Sequence, residues 1–457
     1  MTATSRYPSY RVSGLPWVPQ VPEGWQVLRN GRLFGHRVET GFPDLPILEV
    51  SLRTGVRVRD MDNLKRKQVM SQKEKYKRAV KGDIAYNMMR MWQGAVGPVP
   101  EDGLVSPAYV VVKPYAEANS TYFSYLFRTA AYMQEVNKFS RGIVADRNRL
   151  YWESFKQMPS LVPPRPEQDQ IVTYLRTQDA HIACFIRAKR DLIALLTEQK
   201  LRIIDHAVTR GLDASVKLKP SDIEWLGEVP AHWEVKRLKF LAGNITSQTT
   251  TKADDEIYLA LEHVQSWTGV ARPLGGEVEF ASTVKRFVAD DVLFGKLRPY
   301  LAKVTRVVCA GVCVSEFLVL RSRQELILPA YLEQLLRCKR VIDLISSSTA
   351  GAKMPRADWN FIGNVRLPIP RKDEQEAILS HIGRETKDLD ETIARAEDEI
   401  KLIREYRDRL IADAVTGQVD LRGWQPGPDD VVSDDDLAAL GDDDAGSSDD
   451  EEADAED

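Results

Sequence analysis

The chain has 457 residues, 43% of them apolar, which is enough for two to four domains with real cores. No run reaches the roughly 18 apolar residues of a membrane span, and residues 1–20 hold no apolar stretch of signal-peptide type, so a cytoplasmic protein with no membrane contact is expected. The formal net charge of −4 is unevenly spread: residues 429–457 carry 15 acidic and no basic side chains, leaving 63 basic against 52 acidic elsewhere, a net of +11. A folded body of that sign is compatible with a polyanionic partner.

In chain order, residues 1–20 are rich in Tyr, Pro and Ser and read as a loosely ordered arm. Residues 21–162 mix short apolar runs, such as Tyr109-Val110-Val111-Val112, with helical segments over about 122–137. Pro163-Pro164-Arg165-Pro166 stops that pattern and launches a helix over 163–210 that has no later Pro or Gly before Gly211. Its apolar residues Leu175, Ile182, Ile186, Ile193, Leu196 and Ile203 keep a near-heptad spacing, which predicts a coiled-coil rod. At 1.5 Å per residue, roughly 40 residues make a rod about 60 Å long. A polar linker over 211–229 leads to a second globular part over 230–367. Pro368-Ile369-Pro370 then opens a second long helix over 368–416, with Ile382, Leu389, Ile393, Ala396, Ile400, Ile403 and Leu410 on its seam. Residues 417–457 form an acidic tail that, past Trp424, lacks the apolar surface to fold.

The order is globe, rod, globe, rod, and the two halves echo each other. Ala207-Val208-Thr209 recurs as Ala414-Val415-Thr416, Pro22-Glu23-Gly24-Trp25 as Pro230-Ala231-His232-Trp233, and Glu167-Gln168 as Glu374-Gln375. Gly82-Asp83-Ile84-Ala85-Tyr86 with Arg90 matches Asp290-Asp291-Val292-Leu293-Phe294 with Arg298. A period this long is a duplicated domain-plus-helix unit, not a solenoid. A lone rod cannot bury its seam, so the two rods are expected to pack on each other, antiparallel, about a pseudo-two-fold axis. The fold class expected is mixed α/β (α+β). The four cysteines, Cys184, Cys309, Cys313 and Cys338, show no metal-binding spacing and read as reduced thiols.

These features resemble the specificity subunit of Type I restriction-modification enzymes. The resemblance covers about residues 20–424. It rests on Pro22 to Trp25, on Trp225-Leu226-Gly227-Glu228-Val229-Pro230 with Trp233, and on Asp291-Val292-Leu293-Phe294-Gly295-Lys296-Leu297-Arg298-Pro299-Tyr300. The two Pro-rich steps into Glu-Gln and an apolar rod complete it. It implies that 21–162 and 230–367 are two target recognition domains, each reading half of an interrupted, asymmetric double-stranded DNA site. It also implies that the long helices, entered at Glu167, Gln168, Glu374 and Gln375, dock methyltransferase subunits, with restriction/translocase subunits joining that core. S-adenosylmethionine, ATP and Mg²⁺ then belong to the partner chains, and this chain is non-catalytic with no cofactor or metal of its own. The sequence agrees: it holds neither an Asn/Asp-Pro-Pro-Tyr/Phe tetrad nor a Gly-x-x-x-x-Gly-Lys-Ser/Thr phosphate loop. Glu198-Gln199-Lys200 has the look of a nuclease ending but lies mid-rod, where such triplets are ordinary solvated faces. A coiled-coil scaffold that organises proteins without reading DNA is the competing interpretation; it explains the rods but not two elaborated, diverged globes.

Candidate DNA contacts lie where basic and aromatic residues share a loop. In the second globe they are Lys296, Arg298, Tyr300 and Lys303, then Lys353 and Arg356. In the first they are Asn87 and Arg90, then Arg141, Arg147 and Arg149. Arginine can meet guanine O6 and N7 with two hydrogen bonds, whereas lysine mostly serves phosphate. For each, the alternative is a solvated strand edge. Trp92 fits core packing better than base stacking, and Glu262 and His263 are further candidates for base-edge contact, although a lone His is more often structural.

Overall fold

A computed structural model of the chain describes residues 6–52, 55–59, 73–142, 148–275, 283–349 and 354–428, with Asp430, Val432 and Leu440. It divides into two units, one of residues 1–190 with 397–457 and one of 191–396. Past residue 428 the acidic tail lies almost wholly outside the described residues.

The first unit holds helices α1 (Ser120–Phe127), α2 (Ala130–Phe139) and α3 (Trp152–Phe155), and the start of the long helix α4 (Arg165–Arg210). The second holds α5 (Leu238–Leu241), α6 (Pro329–Arg337), α7 (Lys339–Ser347) and α8 (Trp359–Ile362), and the start of the long helix α9 (Lys372–Val415). The centre of the first unit is an antiparallel sheet in the order Phe34–Arg37, Tyr109–Pro114, Ile84–Asn87, Val96–Pro98. The second repeats it with Ala242–Ile245, Phe317–Ser322, Val292–Gly295 and Val304–Arg306. A two-stranded ribbon enters each long helix, Pro159–Val162 against Gln26–Arg29 and Arg366–Ile369 against Glu234–Arg237.

In the segment expected as a loose arm, the described residues from Tyr10 on are ordered. Tyr10–Leu15 and Val18–Pro22 pair as a hairpin whose Val18 and Val21 are buried. The expected linker contains the same element, Leu218–Pro220 against Glu228–Pro230, with Val229 buried. Tyr10 faces Pro22 as Leu218 faces Pro230, and Gly14 and Asp222 both take left-handed backbone. Arg11 donates to the Trp25 carbonyl at 2.6 Å, and Lys219 donates to that of Trp233 at 2.7 Å. The repeat therefore begins at Tyr10, ahead of the Pro22 motif that marks it in the sequence.

Each unit clasps the start of one long helix and the end of the other. Trp25 and Trp233 are fully buried, each contributing roughly 4–6 kcal/mol of hydrophobic stabilisation. Their indole N–H groups donate to Glu167 at 3.0 Å and Glu374 at 2.9 Å, in the first turns of α4 and α9. The last carbonyls of a helix have no partner within it. In the first unit Tyr122 supplies one, its hydroxyl donating to Val415 O at 3.1 Å; in the second Tyr331 donates to Val208 O at 3.3 Å. Left-handed Gly417 and Gly211 then end the helices, each against the tryptophan of its unit.

The long helices pack antiparallel in both units, since partners on α9 fall in number as those on α4 rise. In the first unit Asp179 meets Arg407 and Lys189 meets Glu399; in the second Lys200 meets Asp390. Leu175, Ile182 and Ile186 on α4 and Ile382 and Ala396 on α9 are buried, while Ile193, Leu196, Ile203, Leu389, Ile393, Ile400, Ile403 and Leu410 are half-buried. Lys200, from the nuclease-like triplet, is thus spent on Asp390, and Glu198 pairs with Arg202 along the same helix. Among the described residues no helix is long and apolar enough to cross a membrane. Cys313 and Cys338 are buried, and burial pushes the Cys313 thiol up to about 12.

Candidate nucleic-acid interface

In each unit the two central strands hold a turn at one end. The strand is started by a buried aspartate: Asp83 accepts the Val80 N–H at 2.9 Å, and Asp291 accepts that of Val288 at 2.9 Å. Each buried carboxylate is neutralised by an arginine. Arg37 reaches Asp83 at 2.6 Å from the first strand of its sheet; Arg321 forks onto Asp291 with two bonds of 2.8 Å from the second. These ion pairs brace the strands and occupy both acids.

At the far end of the strand, the second unit turns through Lys296 to Lys303. Arg298 and Ala302 both adopt left-handed backbone around the short helix Pro299–Leu301, a conformation that costs a non-glycine residue about 1–2 kcal/mol. The neighbouring chain holds it there: Lys296 N–H donates to Glu316 O at 2.9 Å, Arg298 N–H to Pro355 O at 2.8 Å, and Ala357 N–H to Lys296 O at 2.9 Å. Leu297 and Arg356 form a bridge. Lys296, Arg298, Tyr300 and Arg356 are thereby gathered on one rim, with Arg298, Tyr300 and Arg356 exposed and Lys296 half-buried. Lys303 is turned inward: its Nζ donates to Leu261 O at 2.7 Å, and burial lowers its pKa. Lys353 lies outside the described residues.

The first unit builds the same rim. Met88 N–H donates to Ala108 O at 3.2 Å and Leu150 N–H to Met88 O at 2.8 Å, the counterparts of the bonds around Lys296. Arg90 therefore corresponds to Arg298 and Arg149 to Arg356. Asn87 folds its side chain onto the Met89 N–H at 2.9 Å, a local turn that leaves Arg90 half-buried on the corner. Arg141 and Arg149 exchange backbone hydrogen bonds of 3.0 and 2.9 Å, and both are exposed. Arg147 lies outside the described residues. Trp92 packs on the core and donates its indole N–H to Met89 O at 2.9 Å, as expected of a packing residue.

Besides the inward turn of Lys303, the glutamines correct the sequence reading. Gln168 and Gln375 are fully buried, so they offer nothing for a partner to dock on. Gln168 accepts the Asn119 N–H and donates to Glu117 O and Pro163 O, all at 2.9–3.0 Å. Gln375 does the same with Leu328 N–H, Leu326 O and Pro370 O. Each sews its helix to the loop ahead of α1 or α6. Glu167 and Glu374 are likewise committed to the tryptophans. His263 accepts the Ala260 N–H through Nδ1 at 3.0 Å and closes its own turn, a structural role of the kind a lone His more often has, while Glu262 stays exposed.

The sequence reading passed over one matched pair. Lys77 and Lys285 lie 208 positions apart and donate to the first carbonyl of the second sheet strand, Tyr109 O at 2.7 Å and Phe317 O at 2.7 Å. Desolvation lowers the pKa of both. Their signal was the repeat register itself. Among the described residues no group of His, Cys, Asp or Glu side chains is placed to hold a metal.

No protein-family model matches the chain. It is 23% identical over 219 residues, 47% of its length, to the specificity subunit of the Type I restriction enzyme EcoDI from Escherichia coli. The chain spans about half, 48%, of that relative. Among solved structures, it aligns over 87% of its length with 99% of a chain reported under "Structural basis underlying complex assembly and conformational transition of the type I R-M system", at a TM-score of 0.59 and 12% identity. It also aligns with 98% of the HsdS subunit from Thermoanaerobacter tengcongensis, at a TM-score of 0.41 and 14% identity. The chain thus resembles a Type I specificity subunit in sequence and shares the fold of a chain from a type I restriction-modification system.

Proposed function

We propose that this chain is the DNA-reading subunit of a Type I restriction-modification assembly, without catalysis of its own. Each globe reads one half of an interrupted, asymmetric double-stranded DNA site. The observation that carries this reading is the duplicated rim: Arg90 with Arg149 and Arg298 with Arg356 stand at matching places on one framework while the residues around them differ. A matched pair of sites with different side chains suits two different half-sites.

The long helices dock two methyltransferase subunits, and restriction/translocase subunits complete the assembly. Exposed apolar side chains favour protein contact along these helices: Phe185, Leu402 and Tyr406 in the first unit, Leu192 and Leu195 in the second. S-adenosylmethionine, ATP and Mg²⁺ act in those partners, in the cytoplasm. The assembly directs methylation or ATP-dependent restriction according to the site bound.

Methylome mapping of cells carrying the chain with its partners tests the proposal. A bipartite motif is expected, and replacing residues 230–367 by those of a relative should change one half only. A swap that alters both halves, or the absence of any motif, overturns it. Mass measurement of the purified assembly should give two methyltransferase copies per chain.

A further inference from the structure

The two rims differ in one charged residue beneath the matched arginine. Glu316 precedes the second strand of its sheet, where the first unit has Ala108; the two positions make the same backbone bond to the rim, from Lys296 N–H and from Met88 N–H. Glu316 Oε1 accepts from Arg356 Nη2 at 3.0 Å, with the carboxylate side chain 21% exposed and the guanidinium side chain 60% exposed. The other oxygen, Oε2, is buried without a hydrogen-bond partner among the described residues. The carboxylate is thus committed to Arg356 and is inaccessible to a ligand through its second oxygen. Arg149, the counterpart of Arg356, has Ala108 at the place of Glu316 and no such brace among the described residues.

An exposed ion pair of this kind adds little stability. What it does is orient a guanidinium. A phosphate tolerates many approaches, but two hydrogen bonds to the O6 and N7 of guanine demand a fixed plane and direction. The backbone around the pair is fixed as well, by the Leu297 bridge to Arg356 and the Ala357 N–H bond to Lys296 O. Lys296, on the same rim, supplies positive charge that needs no orientation and suits the adjacent phosphate.

We propose that Glu316 is a positioning residue that aims Arg356 at a guanine in the half-site read by the second globe, making that base pair a point of strict specificity. The inference rests on the DNA-reading function proposed above. It also implies that Arg149, with Ala108 where the second globe has Glu316, serves the backbone more than a base.

The test uses the complete assembly with its methyltransferase partners. The motif of the unaltered assembly is mapped first; if it has none, the DNA-reading function fails and not this inference. Duplexes carrying that motif, and a set with each base pair of the second-globe half changed in turn, are then bound by Glu316→Gln, Arg356→Lys and Arg356→Ala assemblies. Glu316→Gln and Arg356→Lys should each lower discrimination by about tenfold at one and the same G·C pair, leaving every other position intact. In the Arg356→Ala background, Glu316→Gln should do nothing more. Thermal unfolding of each variant separates loss of fold from loss of aim, and Arg356→Lys, on an exposed side chain, keeps the test alive if Glu316→Gln unfolds. Tighter binding of all duplexes by Glu316→Gln with unchanged discrimination would mean that the carboxylate only neutralises Arg356, and the inference would be wrong.

Discussion

The two units keep the same joints and change the same rim. Tryptophan on glutamate, buried glutamine on a loop, tyrosine hydroxyl on a last-turn helical carbonyl and a left-handed glycine recur in both, 206 to 209 positions apart. At the rim, one copy has Asn87, Met88 and Met89 in a relaxed Asx turn, and the other has Gly295, Lys296 and Leu297 leading to left-handed Arg298 and Ala302. The joints face buried surroundings, where an unmet polar group costs about 1–3 kcal/mol, so both copies need the same answer. The rim faces outward, where strain and charge are tolerated. The difference teaches that the framework is held by burial and that the freedom to diverge lies where the backbone meets solvent.

The largest effect should come from the joints. Trp25→Ala and Trp233→Ala each empty a fully buried indole site and strip Glu167 or Glu374 of its indole donor; each should cost about 3–5 kcal/mol. Denaturant unfolding checks this, and the comparison requires the two costs to be similar. A large cost on one side alone would show that the matched joints are alike in geometry only.

One joint of the seam is not matched, and it should break the symmetry. In the first unit Arg407 forks onto Asp179 at 2.6 and 3.0 Å, and Tyr125 donates to the same carboxylate at 2.8 Å. Stepping 207 positions puts Lys200 and Thr386 at the equivalent places, and Lys200 pairs instead with the exposed Asp390. Arg407→Met removes the guanidinium that forks onto buried Asp179 and should cost about 3 kcal/mol. Lys200→Met should cost less than about 1 kcal/mol. Equal costs in unfolding measurements would remove the asymmetry.

At the rim the expected effects are on recognition. Arg298→Ala should cost about 1–3 kcal/mol of binding and relax one position of the motif if Arg298 meets a base. If it meets phosphate, binding should weaken evenly and the salt slope should shrink by about one. Arg90→Ala, on the relaxed turn, should act on the other half of the motif. A single variant that relaxes both halves contradicts the division between the globes.

The rods and the globes were legible because apolar periodicity and Pro/Gly punctuation are local signals. The hairpins at Tyr10–Leu15 with Val18–Pro22 and at Leu218–Pro220 with Glu228–Pro230 were not, since prolines and charges in short strands read as loop. They hold because Val21 and Val229 reach the core and Arg11 and Lys219 find the tryptophan carbonyls, which are tertiary facts. Glu167, Gln168, Glu374 and Gln375 read as surface because polar residues usually are. The burial of Gln168 and Gln375 follows from loop N–H and C=O groups that need partners, and Glu167 and Glu374 are held by buried indoles, demands invisible along the chain. Arginines at the rim were legible as basic residues near turns. The brace of Glu316 on Arg356 joins residues 40 positions apart and carries no local signature.

The smallest effect expected lies outside this framework, in residues 429–457. Their 15 carboxylates face a body of net charge +11 and are tethered to it, so their effective concentration at any basic surface is high. Such a segment competes with phosphate at sites where charge alone decides, and leaves oriented base contacts untouched. Truncation after Trp424 should therefore tighten non-specific DNA binding a few-fold at low salt while the methylated motif stays the same. The gain should fade as salt rises and the Debye length falls below about 10 Å, because the competition is Coulombic. Binding of the full and truncated chains to a motif-free duplex across a salt series measures it. Identical curves would assign the carboxylates to solubility alone, the ordinary role of a solvated charge run.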